Sequence, residues 1–311
     1  MNESNPFARM FITEAVEGSG VFIHALRRMV VDRMTEFQHL VIADTEDLGR
    51  CLFLDGVLQA SVYDEFVYHE TLVHPASVLH RAPRTVLVLG GGDGGTLREV
   101  LRWRTVRQVT LVELDREVLD AAKAFLGELH GGAFDDPRVE VVIGDGAAFL
   151  DRNDGPWDLV LADLTDPVSE NGAASLYTRA FYSSIRARLA PGGIFATHAG
   201  AVGPGAAGTR AFAAAASALS RVFEHILPCC VPVPSYGCML GFLLAASVPL
   251  PWDQPAEAVD HLLHEHVAGE LRSLDGMALG GLFRPPRYIR RALARRPAGE
   301  APTGRGTAEH G

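Results

Sequence analysis

The first 75 residues contain short runs in which apolar and polar side chains alternate, the pattern of half-buried β-strands. One run covers residues 37–42, and two more, at 50–54 and 57–62, flank the dipeptide Asp55-Gly56. A strand, an Asp-Gly turn and a second strand form the signature of a β-hairpin. We therefore expect a small antiparallel sheet here, followed by a helix over residues 64–79.

From residue 84 onward the pattern changes to continuous apolar runs separated by helical stretches. The run at 85–89 is apolar throughout, as expected for a strand that is buried on both faces. The glycine-rich segment 90–95 follows it, and then a helix around residues 97–101. The other expected elements are strands at 109–112, 139–143, 157–161 and 193–197 and helices at 116–126 and 256–274. Strands that alternate with helices predict an α/β fold with a parallel, doubly wound sheet.

These zones divide the chain into three parts. We expect residues 1–75 to form an N-terminal β-hairpin domain with a linking helix, and residues 76–296 to form the α/β domain with C-terminal helices. Residues 297–311 are rich in Gly, Pro and Ala, and we expect them to be a disordered tail.

Composition narrows the class of protein. The 311 residues are 48% hydrophobic and 21% charged, which is typical of a globular protein. The net charge of −10 argues against a nucleic-acid partner, since that binding relies on clustered Lys and Arg.

The four cysteines form no CxxC pair, so we expect no zinc site. Residues 226–252 carry no charge, but their prolines argue against a membrane-spanning helix. With no secretory signal visible, we expect a cytoplasmic protein that does not bind membranes.

Acidic side chains follow four of the expected strands. Asp93 lies in the glycine-rich segment, Glu113 and Asp145 end the next two strands, and Asp163 and Asp166 follow the fourth. Ligands of doubly wound sheets bind beyond these strand ends, where Glu113 has the spacing of a ribose ligand. The alternative is that each acid caps the following helix. Four together favour a ligand site, because caps are as often Ser, Thr or Asn.

Asp93 also restricts the ligand. NAD places its pyrophosphate on such a glycine loop, and a carboxylate there would repel it. The carboxylate of S-adenosylmethionine would suffer the same repulsion. In addition, Val88 stands where a common methyltransferase signature has an acid. An adenosyl sulfonium with an amine tail and no carboxylate would instead be attracted to Asp93, and decarboxylated S-adenosylmethionine has that structure.

At these positions the sequence resembles the polyamine aminopropyltransferases, the spermidine synthase family, from about residue 11 to 283. The matching motifs are Leu54-Asp-Gly-Val-Leu-Gln59, Asp64-Glu-Phe-Val-Tyr-His-Glu70, Gly90 to Gly95, Val112-Glu-Leu-Asp115, Gly144-Asp-Gly146, Asp163-Leu-Thr-Asp-Pro167 and Val233-Pro-Ser-Tyr236. The resemblance implies a Rossmann-like (methyltransferase-type) sheet behind the N-terminal β-domain, in homodimers or homotetramers. It also implies transfer of an aminopropyl group from decarboxylated S-adenosylmethionine to an amine, with release of methylthioadenosine and without a metal or redox cofactor.

The resemblance further implies a role for individual residues. The donor-binding residues it implies are Gln38, Asp93, Glu113, Asp145 and Gly146. The catalytic residues are Asp163, which takes or relays the proton of the attacking amine, and Tyr68, which orients that amine. The acceptor-binding residues are Asp166 and Tyr236, and we place His69 with them.

Several positions depart from the members that use putrescine. Leu164 and Thr165 replace two serines, His69 replaces a glutamine, and a shorter loop follows Tyr236. His198 also stands where glutamine is usual. These forms look more like members that use agmatine or make thermospermine. A structural role for either histidine is equally open. The alternative functions are an S-adenosylmethionine-dependent methyltransferase of the same fold and a catalytically silent relative.

Overall fold

The computed structural model describes residues 10–15, 20–164, 178–205 and 207–294. Its N-terminal part is a five-stranded antiparallel sheet in which each strand pairs with the next one along the chain. The strands are β1 (Met10–Ala15), β2 (Val21–Met34), β3 (His39–Thr45), β4 (Arg50–Leu54) and β5 (Val57–Ser61). The turn between β4 and β5 has φ values of 50° at Asp55 and 78° at Gly56. Two consecutive positive φ values are the mark of a type I′ turn, so the predicted hairpin is confirmed.

The second sheet has seven strands with helices on both faces. Its strands are β6 (Thr85–Gly90), β7 (Gln108–Glu113), β8 (Val139–Ile143), β9 (Trp157–Asp163), β10 (Leu189–Val202), β11 (His225–Val233) and β12 (Cys238–Ala246). The helices are α1 (Glu65–His80), α2 (Gly95–Leu101), α3 (Arg116–Phe125), α4 (Gly127–His130), α5 (Gly146–Arg152), α6 (Arg179–Arg188), α7 (Arg210–Ser220), α8 (Ala256–His266), α9 (Gly276–Leu282) and α10 (Arg287–Ala294).

The strand order is β11-β12-β10-β9-β6-β7-β8, and the five strands from β10 to β8 are parallel. The chain runs outward from β6 to β7 and β8, then returns to β9 on the other side of β6. This reversal is the topological switch point at which open α/β sheets bind their ligands. The predicted Rossmann-like, mostly parallel sheet with a small N-terminal antiparallel sheet is confirmed.

The apolar run at 85–89 is buried on both faces, as its continuous pattern predicts. Val86 and Val88 lie in the core beneath α1, α2 and α8. Leu87 and Leu89 lie in a second core beneath α5, α6 and α7. Because strand side chains alternate between faces, a run without polar positions is required where helices cover both sides.

The uncharged stretch at 226–252 forms strands β11 and β12. Pro228 and Pro232 lie in β11, which is an edge strand of the sheet. Proline lacks a backbone N–H, and an edge strand tolerates this loss because one of its sides has no neighbouring strand. No helix within the described ranges is long and apolar enough to span a membrane.

Two predicted boundaries differ from the observed elements. The helix predicted for 256–274 ends at His266, because Val267 forms an antiparallel bridge with Trp103 and the Ala268 N–H donates to the Arg102 carbonyl oxygen at 2.8 Å. Buried Glu70 accepts the backbone N–H groups of Arg272 (2.7 Å) and Ser273 (2.8 Å) farther along, so that segment is not helical either. Helix α1 continues through residue 75, where the sequence places a domain boundary, and buries Val73 and Ala76 beneath the large sheet. The tail at 297–311 lies outside the described residues.

Candidate active site

The switch point brings the glycine-rich segment beside the end of β9. The backbone N–H of Gly91 donates to the Asp163 carbonyl oxygen at 3.0 Å. A Cβ atom on Gly91 would lie only 2.8 Å from Asp163 Oδ2, and its φ of 71° favours glycine as well. Position 91 therefore requires glycine, because the backbone itself approaches the Asp163 carboxylate.

Asp163 is held by two hydroxyl groups. Tyr68 Oη donates to Asp163 Oδ1 at 2.7 Å, and Thr96 Oγ1 donates to Oδ2 at 2.7 Å. Burial, reinforced by the nearby charge of Asp93, raises the pKa of Asp163 above its usual range despite these hydrogen bonds. A fixed carboxylate with a raised pKa is well suited to accept a proton.

Asp93 is anchored through one of its two oxygens. Its Oδ1 accepts the Gly95 backbone N–H at 2.7 Å and lies 3.7 Å from His69 Nε2. Oδ2 has no hydrogen-bond partner among the described residues. Burial alone would raise the pKa of Asp93, but the charge of His69 outweighs it and the pKa lies below the usual value. Asp93 is therefore an ionised carboxylate with one oxygen left for a ligand.

His69 lies between two carboxylates. Its Nδ1 is 2.7 Å from Glu65 Oε2, one helical turn earlier in α1, while its Nε2 faces Asp93. Burial disfavours the charged imidazole, yet Asp93 and Glu65 together raise the pKa of His69 well above its usual value. Arg98 in turn binds both oxygens of Glu65, at 3.1 and 2.8 Å.

His69, Asp93 and Asp163 place ligand-type atoms within 4.8 Å of one another, so a metal ion has to be considered. Metal binding needs an unprotonated imidazole nitrogen. In this chain each ring nitrogen of His69 faces a carboxylate and carries a proton in the imidazolium form. The three residues therefore suit an organic cation beside Asp93 better than a metal ion.

Asp115 links Glu113 to Gln38 by hydrogen bonds. Glu113, at the end of β7, is buried, and its Oε1 accepts the Asp115 backbone N–H at 2.9 Å. Gln38 Nε2 donates to Asp115 Oδ2 at 3.1 Å, and Thr35 Oγ1 donates to the same atom at 2.6 Å. Asp115 also caps α3. It thereby links the β2–β3 turn of the five-stranded sheet to the edge of the seven-stranded sheet where the sequence predicts binding of decarboxylated S-adenosylmethionine.

Asp145 does cap a helix, the alternative that its sequence position left open. Its Oδ1 accepts the Ala148 backbone N–H at 2.7 Å at the start of α5, and its side chain is exposed. Gly146, the first residue of α5, lies beside Leu89 of β6. Capping does not use every acceptor site of a carboxylate, so a ligand contact by Asp145 stays a prediction.

The predicted acceptor side is built around the Tyr68 ring. The rings of His198, Phe242 and Tyr236 pack against it edge-on, with centroid distances of 5.6, 5.2 and 6.5 Å. The Tyr236 hydroxyl donates to the Gln59 carbonyl oxygen in β5. His198 Nε2 accepts the Gly200 backbone N–H at 3.2 Å. Asp166 lies outside the described residues, so its predicted acceptor contact has no structural account.

Sequence reasoning missed four polar residues of this site, namely Glu65, Thr96, Arg98 and Asp115. The i,i+4 spacing of Glu65 and His69 in a predicted helix is a usable signal, because such residues are neighbours on one helix face. The contacts of Thr96 and Asp115 join residues more than 60 positions apart. No local pattern announces contacts of that kind.

Comparisons with known proteins identify the family of the chain. The family model described as the Spermine/spermidine synthase domain matches residues 65–249, and that of the Spermidine synthase tetramerisation domain matches 26–61. A polyamine aminopropyltransferase of Synechococcus sp. (strain JA-2-3B'a(2-13)) is 41% identical over 94% of this chain and 95% of its own length. Another, from Synechococcus sp. (strain JA-3-3Ab), is 43% identical over 87% of this chain and 88% of its own.

A solved structure supports the same relationship. A spermidine synthase in complex with the transition-state analogue AdoDATO superposes with a TM-score of 0.84 and 29% identity, covering 94% of this chain and 98% of that one. The family model alone spans more than half of the chain, and both relatives exceed 40% identity over most of it. The chain therefore belongs to the spermine/spermidine synthase family of polyamine aminopropyltransferases.

Proposed function

We propose that the site around Asp163 transfers the aminopropyl group of decarboxylated S-adenosylmethionine to an amine. The observation that carries this proposal is the ionised Asp93, anchored by Oδ1 with Oδ2 left over. The donor brings a primary ammonium to this position, and an ammonium is the natural partner of such a carboxylate. Ordinary S-adenosylmethionine would bring its own carboxylate close to Asp93.

In the proposed reaction the acceptor nitrogen attacks the propyl carbon next to the sulfonium. The new C–N bond forms as the C–S bond breaks, and the electron pair of that bond leaves with sulfur in neutral methylthioadenosine. The acceptor is a primary alkylamine with a pKa near that of Lys, about 10.4, so it arrives protonated and gives this proton to Asp163 before it attacks. After the C–N bond has formed, the nitrogen is a secondary ammonium and keeps its positive charge. Because the leaving group is already a sulfonium, the proposed step uses no metal or redox cofactor.

The residues divide into three groups in this proposal. Tyr68 orients the attacking nitrogen and Asp163 takes its proton. Gln38, Glu113, Asp145 and Gly146 bind the nucleoside and thioether part of the donor, while Asp93 binds its ammonium. Tyr236 and Asp166 line the acceptor side. For His69, whose nitrogens both face carboxylates, we propose a position behind Asp93 in place of direct contact with the acceptor.

For the acceptor we propose agmatine or spermidine in preference to putrescine. The support is the sequence itself: Leu164 and His69 replace residues of the putrescine-using members. Leu164 directly follows the proposed catalytic acid, so its side chain alters the surroundings of the attacking amine.

One assay tests donor and acceptor together. The enzyme is incubated with decarboxylated or ordinary S-adenosylmethionine and with putrescine, agmatine, cadaverine, spermidine or spermine. We expect methylthioadenosine from the decarboxylated donor only, with kcat/KM highest for agmatine or spermidine. Release of adenosylhomocysteine would identify methyl transfer, and the absence of both products would identify a silent relative. A higher kcat/KM for putrescine would overturn the acceptor proposal alone.

Methylthioadenosine binding is expected to weaken below about pH 7. Burial raises the pKa of Glu113 to about 7, against the opposing Asp115 backbone N–H. The ionised carboxylate, which accepts both hydroxyls of the ribose diol, therefore predominates only above that pH. Affinity should fall by up to about tenfold per pH unit below it. Calorimetry over the pH range measures this, with Glu113→Gln as the pH-insensitive, weaker-binding control. If the affinity of the wild-type enzyme stays constant across this range, Glu113 does not bind the ribose.

We also propose that the chain forms a homodimer or homotetramer through its five-stranded sheet. The matched tetramerisation region, 26–61, lies in this sheet. Strands β1 and β2 expose Phe11, Val21 and Ile23, which the register of the two strands places on one face of the sheet. An exposed apolar face of this kind marks protein contacts. A solution mass of one 33.5 kDa chain would contradict this assembly.

A further inference from the structure

Two buried histidine–carboxylate pairs share one arginine. His69 lies 2.7 Å from Glu65, and His74 lies 2.8 Å from Glu99. Arg98 binds both carboxylates, Glu65 at 2.8 Å and Glu99 at 2.9 Å. The two pairs thus have the same composition and are bound by the same guanidinium, and all four of their residues are buried.

The pairs differ in what the second ring nitrogen faces. His74 Nδ1 accepts the indole N–H of Trp103 at 3.0 Å, so this nitrogen carries no proton and His74 is neutral. His69 Nε2 instead faces the Asp93 carboxylate at 3.7 Å. At this distance the contact is one of charge and not a hydrogen bond, and carboxylates on both sides of the ring favour the imidazolium form of His69. Only this pair reaches the active site.

We propose that Glu65 is a positioning residue for the donor: through His69 it keeps the Asp93 carboxylate ionised and fixed at Oδ1, so that Oδ2 receives the ammonium of the donor. This inference rests on the proposed function. The positive charge of His69 decides whether Asp93 is ionised. Asp93 and Asp163 belong to one cluster, and two close carboxylates without a cation would share a proton. Protonated Asp93 would lose most of its attraction for an ammonium.

The charged groups around His69 determine what removing Glu65 does. They are Glu65 on its own helix, Asp93 in the glycine-rich segment, Asp163 at the end of β9, and Arg98 of α2 behind Glu65. Replacing Glu65 by glutamine keeps the shape but leaves His69 and Arg98 with one negative charge fewer. The imidazolium therefore loses one of its two stabilising charges, and His69 releases its proton at a lower pH than in the wild type. Over the pH range where only the wild-type His69 is protonated, Asp93 and Asp163 of the variant share a proton, and Asp93 loses its attraction for the donor ammonium.

The test is the donor KM of Glu65→Gln across the pH range. Relative to wild type, we expect it to rise roughly ten- to thirtyfold at the neutral and alkaline end, the scale of one missing charge several ångströms away. It should return toward the wild-type value as the pH falls and His69 of the variant takes up its proton. The kcat and the Kd of methylthioadenosine, which has no ammonium, should change little. A donor KM that matches wild type at every pH would overturn the inference, and so would an equal loss of methylthioadenosine affinity.

Glu99→Gln is the matched control. It removes a buried carboxylate that binds the same Arg98 and also Arg102 (3.0 Å), but the second ring nitrogen of its histidine partner, His74, accepts from Trp103 and does not face Asp93. We expect a comparable loss of stability with a donor KM within about threefold of wild type, since its charge is separated from Asp93 by the first pair. An equal rise in donor KM for Glu99→Gln would show a general effect of lost charge and overturn the assignment to Glu65.

A measurement on the wild-type enzyme does not depend on the folding of any variant. In a ¹⁵N-histidine NMR titration we expect His69 to be an imidazolium at neutral pH and His74 to be neutral. A neutral His69 would overturn the inference directly. The assay of the wild-type enzyme separates a failure of the proposed function from a failure of the proposed role of Glu65. Without methylthioadenosine release the proposed function fails, whereas an active enzyme with an insensitive Glu65→Gln variant rejects only the role of Glu65.

Discussion

Asp163→Asn is expected to lower kcat by roughly two to four orders of magnitude, the usual scale for losing a positioned proton acceptor. Asparagine keeps the shape of the side chain and one oxygen that can accept from Tyr68 or Thr96, so the local packing is preserved. It removes the basic carboxylate whose pKa is raised by burial and by the charge of Asp93. Steady-state kinetics with saturating donor and acceptor measure the effect.

The same strand offers a control. Asp158 lies near the other end of β9, where its carboxylate accepts the backbone N–H groups of Arg84 (2.7 Å) and Thr85 (3.1 Å). Asp158→Asn should lower stability with little change in kcat. Methylthioadenosine affinity should stay near the wild-type value in Asp163→Asn, because Asp163 is assigned to the amine side. If Asp163→Asn keeps most of its turnover, the proton acceptor is another group.

Asp93→Asn is expected to weaken binding of decarboxylated S-adenosylmethionine by roughly a hundredfold or more, since it leaves the donor ammonium without its charged partner. The substitution also leaves the His69 imidazolium with one carboxylate in place of two. Its positive charge is then less compensated and repels the donor ammonium. Methylthioadenosine contains the same nucleoside and thioether but no ammonium. Its affinity should change by no more than about threefold, the scale of a lost surface interaction.

The comparison of these two ligands is the internal control, and calorimetry on one variant measures both. Asparagine is nearly isosteric with aspartate, so the Gly95 N–H keeps an acceptor and the glycine-rich segment keeps its path. Equal losses for the donor and for methylthioadenosine would mean that the substitution distorts the nucleoside site. Asp93 would then be structural, and the ammonium would have to bind elsewhere.

Local patterns were sufficient to predict most of the large sheet. The run at 85–89 is apolar because two cores cover it, and the turn at Asp55-Gly56 needs two positive φ values, so both follow from the chain alone. The acids at the strand ends could also be found from the sequence, because the carboxyl ends of parallel strands lie at one edge of the sheet. Strands β11 and β12 could not be identified, since their uncharged sequence suits any buried element.

The electrostatics of the site lay beyond sequence reasoning. The cationic state of His69 depends on Asp93, which reaches it from a different element across the fold. Glu113 and Asp115 are two residues apart and both are buried, yet Glu113 ends β7 while Asp115 caps α3 and binds Gln38. Such differences arise from packing between α1, the glycine-rich segment and the small sheet, and periodicity describes one element at a time.

The hydrogen bonds from Gln38 to Asp115 and from Tyr236 to Gln59 have different consequences for chimeric enzymes. Each joins a residue of the small N-terminal part to one beside the seven-stranded sheet, the first on the proposed donor side and the second on the proposed acceptor side. The first joins two side chains, so a chimera keeps it only if residues 38 and 115 match, whereas the second ends on a backbone carbonyl that any residue at position 59 offers. We therefore expect that the Tyr236 loop can be transplanted between relatives without strand β5, while the turn that carries Thr35 and Gln38 has to be transplanted together with Asp115.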